Sequence, residues 1–158
     1  MRNDFSVRIG GAAGDGVSST GEIFGRTLSR SGLHCYGLNS YQSAIRGGHV
    51  WFHVRGSAQK VTNQGDDLDV IIALNSETAS VHSPFLSEGG VVIYDKDRVK
   101  FSQDLVPMNA KSLPMPLGEI SRKFDKNPIM QNMVALGATL YLLDLDFNVF
   151  SGVLSDMF

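Results

Sequence analysis

The chain has 158 residues, 42% of them apolar and 19% charged, with a formal net charge of −2. That balance describes one globular domain able to bury a core, and it excludes a disordered chain. There is no basic tract, no apolar run near the roughly 20 residues of a membrane span, and no signal-peptide core after Met1, so neither nucleic acid nor membrane is an expected partner and the expected location is cytoplasmic.

Cys35 is the single cysteine, which rules out an internal disulfide and any zinc or iron–sulfur site built from several thiolates of this chain. His49 and His53 share a face if they lie on a strand. The pattern predicts two half-exposed strand histidines and no metal ligands.

Phe5-Ser6-Val7-Arg8-Ile9 alternates and predicts a first strand. It runs into a glycine-dense stretch, Gly10 to Gly21, in which Gly11, Gly14 and Gly16 form G-x-x-G-x-G. Val17, Thr20, Phe24, Thr27 and Leu28 then recur at helical spacing, and Ser31-Gly32 predicts the helix end. Leu33 to Leu38 is the predicted second strand, completing a strand–turn–helix–strand unit of the size of a βαβ element. Asn39 to Gly48 is polar and aperiodic, hence a loop, and His49 to Arg55 alternates as a strand. After a turn over Thr62 to Asp67, Asp69 to Asn75 predicts a strand buried on both faces. Asn75 to Glu88 is expected to be helical, capped by Ser76 and broken near Pro84. Gly89-Gly90 should close it ahead of a strand over Val91 to Asp95.

Leu105 to Met108, with Pro107, is the expected edge strand, and Leu117 to Phe124 a short helix. The longest apolar helix is expected over Ile129 to Leu143, with Pro128 at its first turn. Its apolar residues cover more than one stripe, which predicts burial on both sides, in the core or against another subunit. Phe147, Phe150, Leu154 and Met157 predict a last amphipathic helix. The apolar end at Phe158 reads as that of a fragment, a truncated subunit, or a domain cut from a longer chain. The fold class is α/β: a Rossmann-like three-layer domain with a mainly parallel sheet.

The glycine turn feeding a helix is where the chemistry is expected, because free N–H groups and the helix dipole suit an anion. Three readings compete for it. A dinucleotide fingerprint needs G-x-G-x-x-G and an acidic residue ending the second strand; here the glycine order is reversed and the strand ends in Asn39-Ser40. Gly14-Asp15-Gly16 with Asn39 imitates the motif that holds magnesium and thiamine diphosphate, oxygen ligands being what a hard cation requires. The third takes the turn together with Tyr41-Gln42-Ser43-Ala44-Ile45-Arg46-Gly47-Gly48, as the two sides of one rim, brought together because the first and second strands are expected to be adjacent with both loops at their C-terminal ends. In that rim Arg46 either holds a phosphate or carboxylate bidentately, or caps a loop or bridges to a partner subunit, Tyr41 is read as packing, and Trp51 as core or interface.

The segments Gly11-Ala-Ala-Gly-Asp-Gly-Val17, Ser29-Arg-Ser-Gly-Leu33, Asn39-Ser-Tyr-Gln42, Arg46-Gly-Gly-His-Val-Trp51 and Asn132-Met-Val-Ala-Leu-Gly137 carry a resemblance that extends over almost the whole chain. In their order they resemble the gamma-type domain of 2-oxoacid:ferredoxin oxidoreductases, in the version fused at the N-terminus of the 2-oxoglutarate-type alpha subunit. The resemblance implies that residues 1–158 are a single gamma-type domain of an enzyme that oxidatively decarboxylates a 2-oxoacid to an acyl-CoA. Such enzymes use thiamine diphosphate, Mg, [4Fe–4S] clusters and coenzyme A, and pass electrons to ferredoxin. None of these cofactors is expected on this chain alone, which would act beside a thiamine-diphosphate-binding subunit and have no catalytic residue of its own. The residues expected at the rim are Gly11, Gly14, Asp15, Gly16, Ser18, Tyr41, Arg46, Gly47 and Gly48. Where the family's common form carries Gly-Gly-Gln-Gly in the turn, this chain has Ala13-Gly14-Asp15-Gly16.

Overall fold

A computed structural model describes residues 3–40 and 47–157. Strands β1 (Asp4–Ala12), β2 (His34–Asn39), β3 (His49–Ser57), β4 (Leu68–Ala73), β5 (Leu86–Asp95) and β6 (Lys111–Met115) form one sheet in the order β2-β3-β1-β4-β5-β6. β1 pairs in parallel with β4, β4 with β5 and β5 with β6, while β3 runs antiparallel to both of its neighbours. Every strand except β3 therefore points the same way.

Helices cover both faces of this mixed α/β sheet. On one side lie α1 (Val17–Arg30), α4 (Ile129–Leu142) and α5 (Phe147–Met157); on the other lies α2 (Ser76–His82), and α3 (Leu117–Arg122) leads into α4. Alternation explains β1: Phe5, Val7 and Ile9 enter the core under α1, which presents Val17, Ile23, Phe24 and Leu28 at three- and four-residue spacing. β4 is apolar on both faces because it feeds both cores, Val70 and Ile72 on the α1 side, Ile71 and Ala73 on the α2 side. Each fully buried Ile, Leu or Phe contributes about 1.5–3 kcal/mol relative to exposure.

Several sequence expectations need correcting. The first two strands are not adjacent, because β3 inserts between them. α2 is capped by Asn75, whose extended backbone lets Oδ1 accept from the Thr78 amide at 2.8 Å, and not by Ser76. It ends at His82 in a 3₁₀ turn, Ser83–Phe85, that absorbs Pro84. β5 begins at Leu86, so Gly89-Gly90 lies inside a strand and does not precede one; the Gly89 amide donates to the Asn109 carbonyl. Leu105 closes a 3₁₀ turn (Gln103–Leu105), and the edge strand is β6, whose Pro114 is tolerated there because an edge needs one fewer donor. Of the two alternatives for α4, burial on both sides within this chain's own core does not hold: Tyr141 is 86% exposed and Leu142 40%. His53, expected half-exposed, is fully buried, while His49 is half-buried.

Candidate functional site

β1 ends at Ala12 and the chain turns back into α1 through Ala13-Gly14-Asp15-Gly16. Gly14 and Gly16 have φ of 105° and 78°, a conformation that L side chains rarely adopt, so the turn requires glycine at both. Gly16 is also the N-cap residue of α1 and offers no side-chain cap, and the first turn carries no acid. The first bond of the helix runs from the Thr20 amide to the Gly16 carbonyl. The N–H groups of Val17, Ser18 and Ser19 are therefore the free donors of this end, at the positive pole of a 14-residue helix.

These donors open into a cavity of about 400 Å³ bounded by Ala13, Gly14, Ser18, Ser19, Asn39, Ser40 and Val50. Asn39 Nδ2 donates to Ser18 Oγ at 3.0 Å, tying the end of β2 to the first turn of α1. The Ala13 amide donates to the Gly48 carbonyl at 2.9 Å, so the Gly47-Gly48 segment does meet the glycine turn. The reason differs from strand adjacency: antiparallel β3 begins at the rim where β1 and β2 end, and Ala12 stands opposite His49. Gly47 has φ of 89°. Gly11 lies within β1 opposite Val50. Tyr41 and Arg46 lie outside the described residues.

Asp15 turns inward. Its Oδ2 accepts from the Ala12 amide at 2.8 Å, and it lines a second, larger cavity of about 600 Å³ on the other side of the turn. Asn39 belongs to the first cavity, so Asp15 and Asn39 do not converge on one cation. The structure thus places the two residues of the magnesium–thiamine diphosphate reading in the walls of different cavities. No group of three or more His, Cys, Asp or Glu among the described residues is placed to hold a metal ion.

The larger cavity lies over the C-terminal ends of β4 and β5 and is closed by α4, with Leu74, Asp95, Arg98, Gln131 and Asn132 in its wall. Asp95 is buried and accepts from the amides of Gly118 and Asp97, which caps α3 and the turn after β5. Asn132 is 3% exposed; its Nδ2 donates to the Asp15 carbonyl at 2.9 Å and to Thr20 Oγ1 at 3.0 Å. Thr20 Oγ1 in turn donates to the Gly16 carbonyl. The glycine turn is therefore a partition between two cavities, pinned from behind by α4. Sequence reasoning missed Asn132 in this role, although an amide on the buried stripe of an apolar helix is a readable signal.

Residues 6–158 match the family described as pyruvate ferredoxin/flavodoxin oxidoreductase. The chain belongs to that family. It is 26% identical over 133 residues to 2-oxoacid:ferredoxin oxidoreductase 2, subunit alpha, of Aeropyrum pernix, covering 84% of this chain and 21% of that subunit. It is 26% identical over 150 residues to the 2-oxoglutarate synthase subunit KorC of Methanocaldococcus jannaschii, covering 88% of this chain and 75% of that subunit. Its fold superposes with a TM-score of 0.87 and 31% identity on the 2-oxoglutarate:ferredoxin oxidoreductase of Magnetococcus marinus, a structure that holds 2-oxoglutarate, coenzyme A and succinyl-CoA. That match covers all of this chain and 27% of the solved one. The family domain thus spans about a fifth to a quarter of the longer relatives. No helix among the described residues is long and apolar enough to cross a membrane.

Proposed function

We propose that this chain is the gamma-type domain of a 2-oxoacid:ferredoxin oxidoreductase, and that the first turn of α1 receives an anionic group of coenzyme A or of the 2-oxoacid. The observation that carries the second part is the uncapped N-terminus of α1 facing a cavity of about 400 Å³ between the glycine turn and the end of β2. Three free N–H groups and the Ser18 hydroxyl suit phosphate or carboxylate oxygens. Gly14 leaves the backbone bare on that side, and Asn39, Ser40 and Val50 supply the opposite wall. Similarity to the Magnetococcus enzyme favours 2-oxoglutarate as the acid. In this reading thiamine diphosphate with Mg and the [4Fe–4S] clusters belong to other parts of the assembly, ferredoxin takes the electrons, and this domain gives the active site one wall. Its own residues bind and orient the anion; none of them forms or breaks a bond.

The test is steady-state kinetics of the complex reconstituted with its thiamine-binding partner. Ser18→Asp places a carboxylate in the first turn, where it suits the helix dipole but repels an incoming anion. The fold should be kept while KM for coenzyme A or for the 2-oxoacid rises roughly tenfold, by about 1.4 kcal/mol of lost binding. Arg46→Ala should raise the KM for the same ligand. Unchanged KM values in both variants, or a partnerless chain that binds nucleotide by itself, would remove the reading.

A further inference from the structure

On the α2 side of the sheet, Arg8 of β1, His49, Trp51 and His53 of β3, and His82 at the end of α2 form a cluster that the anion cavity does not use. Arg8 Nη1 lies 3.1 Å from His82 Nδ1, and Nη2 lies 3.0 Å from His53 Nδ1. The same guanidinium sits 4.7 Å over the Trp51 ring. A guanidinium can only donate, so both Nδ1 atoms accept and both imidazoles carry their proton on Nε2. His82 Nε2–H then donates to His49 Nε2 at 3.0 Å, which leaves the His49 proton on Nδ1. One cation fixes three tautomers. Burial, and then the Arg8 charge, push His53 down to about 4 and His82 down to about 3, so both are neutral at pH 7.

Every imidazole lone pair in the cluster is now occupied, which bars a metal cation. What is left over is nitrogen that can only donate. Arg8 Nε, His49 Nδ1 and His53 Nε2 are buried without a hydrogen-bond partner, and so is the hydroxyl of Ser83, next to His82. The Gln64 carbonyl lies close enough to His53 to raise its pKa against the burial and the Arg8 charge. These four are all the side-chain atoms buried without a partner among the described residues. Burial alone lowers the pKa of Arg8, with no carboxylate to offset it, and the stretches outside the described residues contain no Asp or Glu. A desolvated guanidinium without a counter-charge is costly, and orphaned donors add to that cost. Arg8, His49 and Trp51 are half-buried as residues, so the edge of the cluster reaches the surface, while Arg8 Nε and His49 Nδ1 themselves are covered.

We infer that this cluster is a carboxylate-binding site, in which Arg8 and His49 donate to the oxygens of a small acid or of an Asp or Glu side chain of the assembly partner. Either source supplies what the cluster lacks: a negative charge and acceptors with no protons of their own. The inference stands apart from the anion cavity at α1 and survives if that reading fails.

The experiment follows the Arg8 Nε–H and imidazole nitrogen resonances of the 15N-labelled full chain at pH 7.5, as sodium acetate replaces sodium chloride at constant ionic strength. Acetate should move the Arg8 and His49 signals saturably, and chloride should not. Arg8→Lys keeps the charge but loses the planar fork, and should weaken acetate roughly tenfold. If that variant does not fold, His49→Phe removes one donor from the edge of the cluster and should weaken acetate while leaving the Arg8 signal in place. In the complex with the partner subunit, signals already at the acetate-bound position identify the partner's carboxylate as the occupant. Signals that still titrate identify a small acid. A free chain whose signals respond equally to acetate and chloride, or to neither, overturns the inference.

Discussion

Replacing Asn132 with leucine tests the claim that α4 holds the glycine turn in place. The side chain is 3% exposed and its Nδ2 makes two hydrogen bonds, to the Asp15 carbonyl and to Thr20 Oγ1. Leucine shares the branching of asparagine but is larger, so no cavity opens and any overpacking adds to the loss. The loss is two neutral bonds at about 1 kcal/mol each, plus part of the desolvation cost of the abandoned carbonyl, about 2–3 kcal/mol in all. For a chain of this size that is roughly 5–10 °C in Tm. Urea unfolding should show a lower midpoint at unchanged slope. Asn132→Asp should cost more than leucine, because it sets a carboxylate oxygen against the Asp15 carbonyl. Thr20→Val breaks the same network from the other side, so the double variant with Asn132→Leu should lose less than the sum of the two. A midpoint shift worth under about 0.5 kcal/mol for Asn132→Leu, or strict additivity with Thr20→Val, would refute the pinning argument.

Two glycines of α1 should respond with opposite signs. A Cβ on Gly21 would collide with the Phe52 ring, so Gly21→Ala should destabilise by about 1–3 kcal/mol, whereas a Cβ on Gly25 meets nothing within 4 Å and Gly25→Ala should stabilise by about 0.5–1 kcal/mol; thermal melts of both variants check this. Acid should weaken the fold well above the carboxylate range. His53 and His82 fall from an unfolded value near 6.5 to about 4 and about 3, so their contribution is complete above pH 6.5 and is lost as pH falls through that interval. At pH 5 the loss is about 2 kcal/mol for each, and urea midpoints that match at pH 7.5 and pH 5 would contradict it. Removing the Asn75 cap by Asn75→Ala should cost about 1 kcal/mol in the same assay, since Oδ1 accepts from the Thr78 amide and hydroxyl.

Much of the architecture was legible because period and punctuation agree locally. The alternation of Phe5 to Ile9, the glycine turn and the 3.6-residue stripe from Val17 to Leu28 appear as β1, the turn and α1. What failed was long-range. Nothing within residues 5–38 says that a strand made later will wedge between β1 and β2. Gly89-Gly90 looked like punctuation because a two-glycine pair usually is; here the strand continues through it. At the site, the half facing β2 and Gly48 was readable from the glycines. The larger cavity was not, since its wall gathers Asp15, Leu74, Asp95 and Asn132 from four distant places. The Arg8 cluster had a partial signal, an arginine inside an apolar strand and histidines two residues to either side of Trp51. His82, which joins them, lies on a helix whose approach the local pattern does not specify.

The insertion of β3 also sets the order in which the molecule can assemble. β1 and β2 are joined by α1 and run parallel, yet they share no hydrogen bond; every ladder bond of β2 comes from β3. A nascent chain ending before residue 49 therefore holds two strands with no ladder between them, and α1 with nothing firm to rest on. Sheet formation at this end waits for β3, which pairs with β2 as an antiparallel hairpin and must then seat against β1 across the whole of α1 and β2. That is a non-local, entropically expensive step. Shortening the connection between β2 and β3 should accelerate folding, whereas moving the chain's start to a point between them would separate β2 from β3 in sequence and slow it.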